Sequence, residues 1–118
     1  MKKLITAVLL TAALIPSASF PFYKTGNTLL SDCTEEGPAA ASIMRRSNCH
    51  AYIMGSEDAH KGFVLSGSIQ PLYCTPESAT FKQQIMIVEK YMNENPEKLH
   101  YPASFLVDNA FNKAFPPS

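Results

Sequence analysis

The sequence is short of the residues from which most metal and catalytic sites are built. It has three cysteines and three histidines in 118 residues. No C-x-x-C or H-x-x-H spacing occurs, so a zinc site is not expected. There is also no glycine-rich phosphate loop and no nucleophile-elbow pattern. These absences argue against a metal ion, a nucleotide or another cofactor, and they favour a protein that is not an enzyme.

Basic residues are too few for a nucleic-acid-binding protein. Ten Lys and Arg balance ten Asp and Glu. Lys2 and Lys3 lie in an amino-terminal leader, so eight basic residues stand against ten acidic ones in the rest of the chain, a net charge of −2. After the leader, Arg45 and Arg46 form the one basic pair, which suits a solvated helix end. A phosphate-driven interaction needs a basic face, and none is predicted here.

Residues 1 to 19 have the layout of a secretory signal peptide. A positively charged start precedes an apolar run from Leu4 to Ile15, and Ser17 and Ser19 have the spacing that signal peptidase requires. The run is shorter than the ~17 to 25 residues that cross a bilayer, and no cysteine follows it for lipid attachment. We therefore expect cleavage near Phe20, a single domain over residues 20 to 118, and a periplasmic location without membrane contact.

Proline and glycine divide the remaining chain into helical pieces. Asn27 to Cys33 predicts a short helix with one buried side. A second stretch is expected from Pro38, with a kink near Ser47 and a stop at Gly62. Gly55 inside this stretch indicates either close approach of a neighbouring element or a tolerated defect.

Residues 63 to 76 lack a helical period and predict an irregular loop or a short hairpin. Thr80 and Gln83 form a capping box for the next helix, whose apolar face is Phe81, Ile85, Val88 and Met92. Pro96 ends that helix after about Asn95, and Pro102 begins a last one. The apolar positions of the last helix are Ala103, Leu106, Val107, Ala110, Phe111 and Ala114. The sequence thus predicts a compact all-α domain of four or five short helices, with the loop before the longest.

Two catalytic arrangements can be considered, and neither is favoured. Cys49 and His50 are neighbours on a helix, so their side chains diverge and cannot share a proton. Cys74 could meet a histidine, but a nucleophilic thiol in an oxidising compartment would need protection from pairing. Adjacent acids such as Glu57 and Asp58 are expected to be solvated surface residues.

Seven short motifs follow one another over nearly the whole chain after the leader. They are Gly26-Asn27-x-Leu29 closing on Cys33, Cys49-x-x-Tyr52-Ile53-x-Gly55 with Asp58-Ala59, Cys74-x-Pro76, Tyr91-Met92-x-Glu94-Asn95-Pro96, His100-x-x-Ala103, Leu106-Val107-x-x-Ala110, and Ala114-Phe115-Pro116. In this order and spacing they resemble the Rap/Tai family, the immunity proteins against type VI secretion amidase effectors.

This resemblance implies a periplasmic, mostly helical protein, commonly a homodimer, with a peptidoglycan amidase effector as its partner. The family member blocks the active-site cleft of a papain-like amidase and so spares the producing cell, which requires no catalytic residue of its own. A small periplasmic chaperone or assembly factor is the alternative, and an enzyme acting on cell-wall peptides ranks last.

The chain departs from the family in its cysteines. The family pattern ends Ala-Phe-Pro-Cys, whereas Pro117 follows Pro116 here, so the two family bridges cannot both form. If the helices alternate in direction, Cys33 pairs with Cys49 and Cys74 is left free beside the missing terminal partner. Pairing of Cys49 with Cys74 stays open.

Two surface stretches are candidates for contact with the partner. The first is the predicted loop from Gly62 to Tyr73, and the second is the link from Asn93 to Tyr101. A steric inhibitor needs a few protruding anchors, which favours the first stretch for its length and its apolar residues. The predicted partner-binding residues are Phe63, Leu65, Ser68, Gln70, Glu94 and Asn95.

Overall fold

A computed structural model describes residues 22 to 118, which fold into four α-helices and one short 3-10 helix. The helices are α1 (Gly26–Cys33), α2 (Ala40–Leu65), α3 (Phe81–Glu94) and α4 (Ala103–Ala114), and the 3-10 turn is Pro96–Lys98. The predicted all-α class is confirmed. The predicted signal peptide and its cleavage point lie outside the described residues. Within residues 22 to 118, no helix is long and apolar enough to cross a membrane.

The longest helix is α2, which precedes the loop rather than following it. It spans 26 residues and continues through both Ser47 and Gly62, so the predicted stop at Gly62 is wrong. A helical glycine costs about 1 kcal/mol relative to alanine, which the rest of a long helix tolerates. The helix ends at Leu65, and Gly67 follows two residues later with a left-handed φ of 75°. The Ser68 N–H then bonds the Phe63 carbonyl at 3.0 Å, which closes the last turn.

The core forms around α4, which packs against the other three α-helices. Five of its six predicted apolar positions are buried, and only Ala114 is exposed. On α3 the capping box of Thr80 and Gln83 is confirmed, and Val88 and Met92 are buried as expected. Phe81 does not belong to that face, because 59% of its surface is exposed at the first helical position.

Close backbone approach occurs at Gly26 and not at Gly55. The Gly26 N–H bonds the Tyr101 carbonyl at 3.0 Å, which brings the start of α1 against the turn that precedes α4. A methyl group on Gly26 would overlap the Leu106 side chain and stand 2.9 Å from the Leu99 carbonyl oxygen. Around Gly55 the same methyl group would meet nothing within 4 Å. Gly55 is therefore the tolerated defect.

A disulfide and an ion-pair network join α1 to α2. Cys33 pairs with Cys49, as expected, and Cys74 is free and exposed. Next to the disulfide, the buried Asp32 carboxylate accepts hydrogen bonds from Lys24 and Arg45. Burial by itself raises the pKa of Asp32, but these two cations outweigh it and hold that pKa below its usual range.

Candidate protein-binding surface

The loop between α2 and α3 is fixed at its centre by a clamp on the Leu72 peptide group. His60 on α2 is buried, and its Nε2 accepts the Leu72 N–H at 3.0 Å. From the other side, the Asn112 Nδ2 on α4 donates to the Leu72 carbonyl oxygen at 2.6 Å. The two polar groups of one loop residue are thus bound to two different helices, which ties the loop to α2 and α4 at Leu72.

Aromatic stacking continues this clamp into the core. The His60 ring lies on the Tyr73 ring with centroids 3.9 Å apart, and Tyr73 contacts Phe111 of α4 at 5.1 Å. Burial, followed by the negative charges of Asp108 and Glu57, raises the pKa of the Tyr73 hydroxyl far above its usual range. Tyr73 is therefore a neutral core residue, and the loop enters the core at this point.

On one side of the loop an apolar cleft lies between α2 and α4. The cleft has a volume of about 480 Å³, and the apolar side chains along it include Phe63, Ile69 and Leu72. Each of the three is more than one third exposed. Asp108 lies at its α4 edge, where burial raises the pKa of the carboxyl group despite the opposing effect of His60.

On the other side of the loop an acidic cleft of about 480 Å³ lies between α2 and α3. Its acidic residues are Glu57 and Asp58 of α2 and Glu77 of the loop. Asp58 is exposed as expected, but the expectation of a solvated Glu57 is wrong: only 3% of its surface is accessible. Lys61 lies 3.0 Å from its carboxylate, so this ion pair accompanies the burial of the acid.

The predicted contact residues fall into two separate groups. Phe63 and Leu65 lie on the last turn of α2 rather than in the loop, and Leu65 is 87% exposed. Ser68 and Gln70 are exposed in the loop itself. All four therefore stand at one end of the domain surface, on or beside the clamped loop.

Glu94 and Asn95 lie at the opposite end of α3 from the loop. At 1.5 Å per residue, the 14 residues of α3 separate the two ends by about 20 Å. Glu94 pairs with Lys90 and Lys113 at 3.8 and 3.7 Å, and the Asn95 Nδ2 donates to the Tyr91 carbonyl at 2.8 Å. Asn95 thereby satisfies the end of the helix, and the structure does not bring this pair to the loop.

The structure assembles no thiol and imidazole pair from Cys49 and His50. The Cys49 sulfur is in the disulfide and so is not a nucleophile. Among residues 22 to 118, no group of three or more His, Cys, Asp or Glu side chains is arranged to hold a metal ion. The roles of His60 and Asn112 were missed by sequence reasoning, because only the fold brings them to Leu72.

A family model for Rap1a immunity proteins matches residues 25–117, which is nearly all of the described chain. None of the curated proteins matches the chain.

Proposed function

Because this chain belongs to the Rap1a family of immunity proteins, which act against secreted effectors, we propose that it protects the producing cell by binding a type VI peptidoglycan amidase. In this proposal the leader directs the protein to the periplasm, where it covers the active-site cleft of the amidase.

The observation that carries the proposal is the clamped loop with its exposed apolar neighbours. Leu65 is 87% exposed and Phe63 is 56% exposed, and with the exposed parts of Ile69 and Leu72 they place apolar surface on and beside the loop. The Leu72 clamp orders the loop before binding, so little conformational entropy is lost on association. A loop tethered in this way, with exposed apolar side chains and a cleft on either side, suits an interface of standard size with an enzyme groove, ~800 Å² per partner.

The proposal is tested by rescue of cells that express a type VI peptidoglycan amidase in the periplasm. Wild-type protein should restore growth and bind the amidase in a fixed ratio. The triple variant Leu65→Ala, Ser68→Ala and Gln70→Ala should lose at least about tenfold in affinity, since a few central anchors dominate such interfaces. Met86→Ala, a change at a residue of α3 that is 57% exposed, is the matched control.

Four results would contradict parts of this proposal. Unchanged binding by the triple variant would remove the loop from the interface. Absence of any amidase bound by wild-type protein would refute the function. Weak binding of many unfolded proteins would favour the chaperone alternative, and fractionation that leaves the protein in the cytoplasm would refute the location.

We further propose that the protein forms a homodimer, which the family resemblance implies. Exposed apolar side chains on the amino-terminal half of α2, Ile43 and Met44, support this proposal. Sedimentation of the wild type should show a dimer, and Met44→Glu should shift it toward monomer. A monomer over the whole concentration range would contradict the proposal.

A further inference from the structure

The acidic cleft contains more hydrogen-bond acceptors than donors. The Gln84 Oε1 and Thr75 Oγ1 atoms, both in residues that line the cleft, are buried and accept no hydrogen bond within residues 22 to 118. Gln84 is only 5% exposed, and its amide nitrogen already donates to the Ala79 carbonyl at 3.3 Å. Its oxygen is therefore the unpartnered end of a nearly buried side chain.

The charges around the cleft have the same sign as these oxygens. Glu57, Asp58 and Glu77 contribute three carboxylates, and Lys61 is the one cation in the lining. Lys61 lies 3.0 Å from the Glu57 carboxylate, which leaves Asp58 and Glu77 without a neutralising partner in the cleft. The lining thus has a net charge of −2, as large as that of the whole chain after the leader.

An exposed aromatic ring completes the surroundings of the cleft. Phe81 lines it with 59% of its surface exposed. The face of an aromatic ring attracts a guanidinium or ammonium group. A buried acceptor that lacks a donor destabilises the free protein, so a group with several N–H donors gains from filling this cleft.

We propose that the acidic cleft is a subsite for an arginine or lysine side chain of the bound effector. The inference rests on the function proposed above. The same loop supplies Leu72 to the apolar cleft and Glu77 to the acidic cleft, so a partner centred on the loop reaches both. A metal ion is a poorer occupant, because no three His, Cys, Asp or Glu side chains of residues 22 to 118, these carboxylates included, are arranged to hold one.

The test compares two double variants in binding to the amidase. Asp58→Asn with Glu77→Gln removes the cleft charges without touching the buried Glu57. Glu36→Gln with Glu97→Gln removes two acids that lie outside the cleft and form no ion pair in the described chain, and it is the control for net charge. The cleft variant should bind the amidase about tenfold more weakly at low salt and associate with it more slowly, and its affinity should depend less on salt. The affinity of the control variant should stay near that of the wild type.

A second measurement examines the cleft without the amidase. N-acetyl-arginine amide should shift the NMR signals of the Gln84 side-chain amide in the wild type but not in the cleft variant, and N-acetyl-glycine amide should shift neither. Equal amidase affinity of the cleft and control variants would overturn the proposal and leave the oxygens to bound water. A rise in melting temperature with Ca²⁺, lost in the cleft variant, would overturn it in favour of a metal site. If wild-type protein binds no amidase, the proposed function fails, and the titration still decides whether the cleft accepts a guanidinium group.

Discussion

The same substitution, glycine to alanine, should change the stability of this protein in opposite directions at two positions. At Gly26 the new methyl group would meet Leu106, which is fully buried, and the Leu99 carbonyl oxygen at 2.9 Å. Neither neighbour can move away freely, since one lies in the core and the other is backbone. At Gly55, in the interior of α2, the methyl group would meet nothing within 4 Å.

The magnitudes follow from these surroundings. Overpacking of a close contact costs about 1 to 3 kcal/mol, so Gly26→Ala should lower the free energy of unfolding by that amount. Gly55→Ala should raise it by about 0.5 to 1 kcal/mol, because alanine restricts the unfolded chain and suits a helix interior. For a domain of this size, 1 kcal/mol corresponds to roughly 4 to 8 °C in melting temperature.

Urea titration followed by far-ultraviolet circular dichroism measures both effects on the same scale. The slope with denaturant should be unchanged in both variants, which shows that the same surface is exposed on unfolding. The reasoning would be refuted if Gly26→Ala were as stable as the wild type, or if Gly55→Ala were the less stable of the two. The first result would mean that α1 and the turn before α4 are not in rigid contact.

Three further changes test other parts of the structure. Replacing His60 with alanine should raise the hydrogen-exchange rate of the Leu72 amide at least about tenfold, because an amide loses its protection when its acceptor is removed. An unchanged rate would contradict the clamp. Asp32→Asn should lower the free energy of unfolding at neutral pH, and this loss relative to the wild type should shrink below about pH 4. The reason is that a lowered carboxyl pKa adds stability that is lost as the wild-type acid protonates. A loss that is the same at pH 3 and pH 7 would count against the ion-pair network. Pro117→Cys should form a bridge with Cys74 and raise stability by about 3 to 4 kcal/mol, as loop closure predicts; a free thiol at both positions by mass spectrometry would show that they do not meet.

Several properties of the chain followed from the sequence because they depend on local interactions. The capping box of Thr80 and Gln83 is a contact between residues three apart, so it marks the start of α3 in any fold. Pro96 excludes helical geometry from the residue before it, and α3 ends at Glu94. The apolar spacing of α4 identified its buried face for the same reason, and the family motifs gave the class of protein.

Other properties were decided by contacts between residues far apart in the chain. Contacts with neighbouring elements decide that α2 continues through Gly62 to Leu65 and that Phe81 is exposed. The glycine alone predicted a helix end at Gly62, and the apolar pattern alone predicted a buried Phe81, and both predictions are wrong. His60 and Asn112 are separated by 52 positions, yet they bind the two polar groups of one loop peptide. Hydrogen bonds of this kind leave no periodic signal, so the shape of the binding loop and its two clefts could be known only from the tertiary structure.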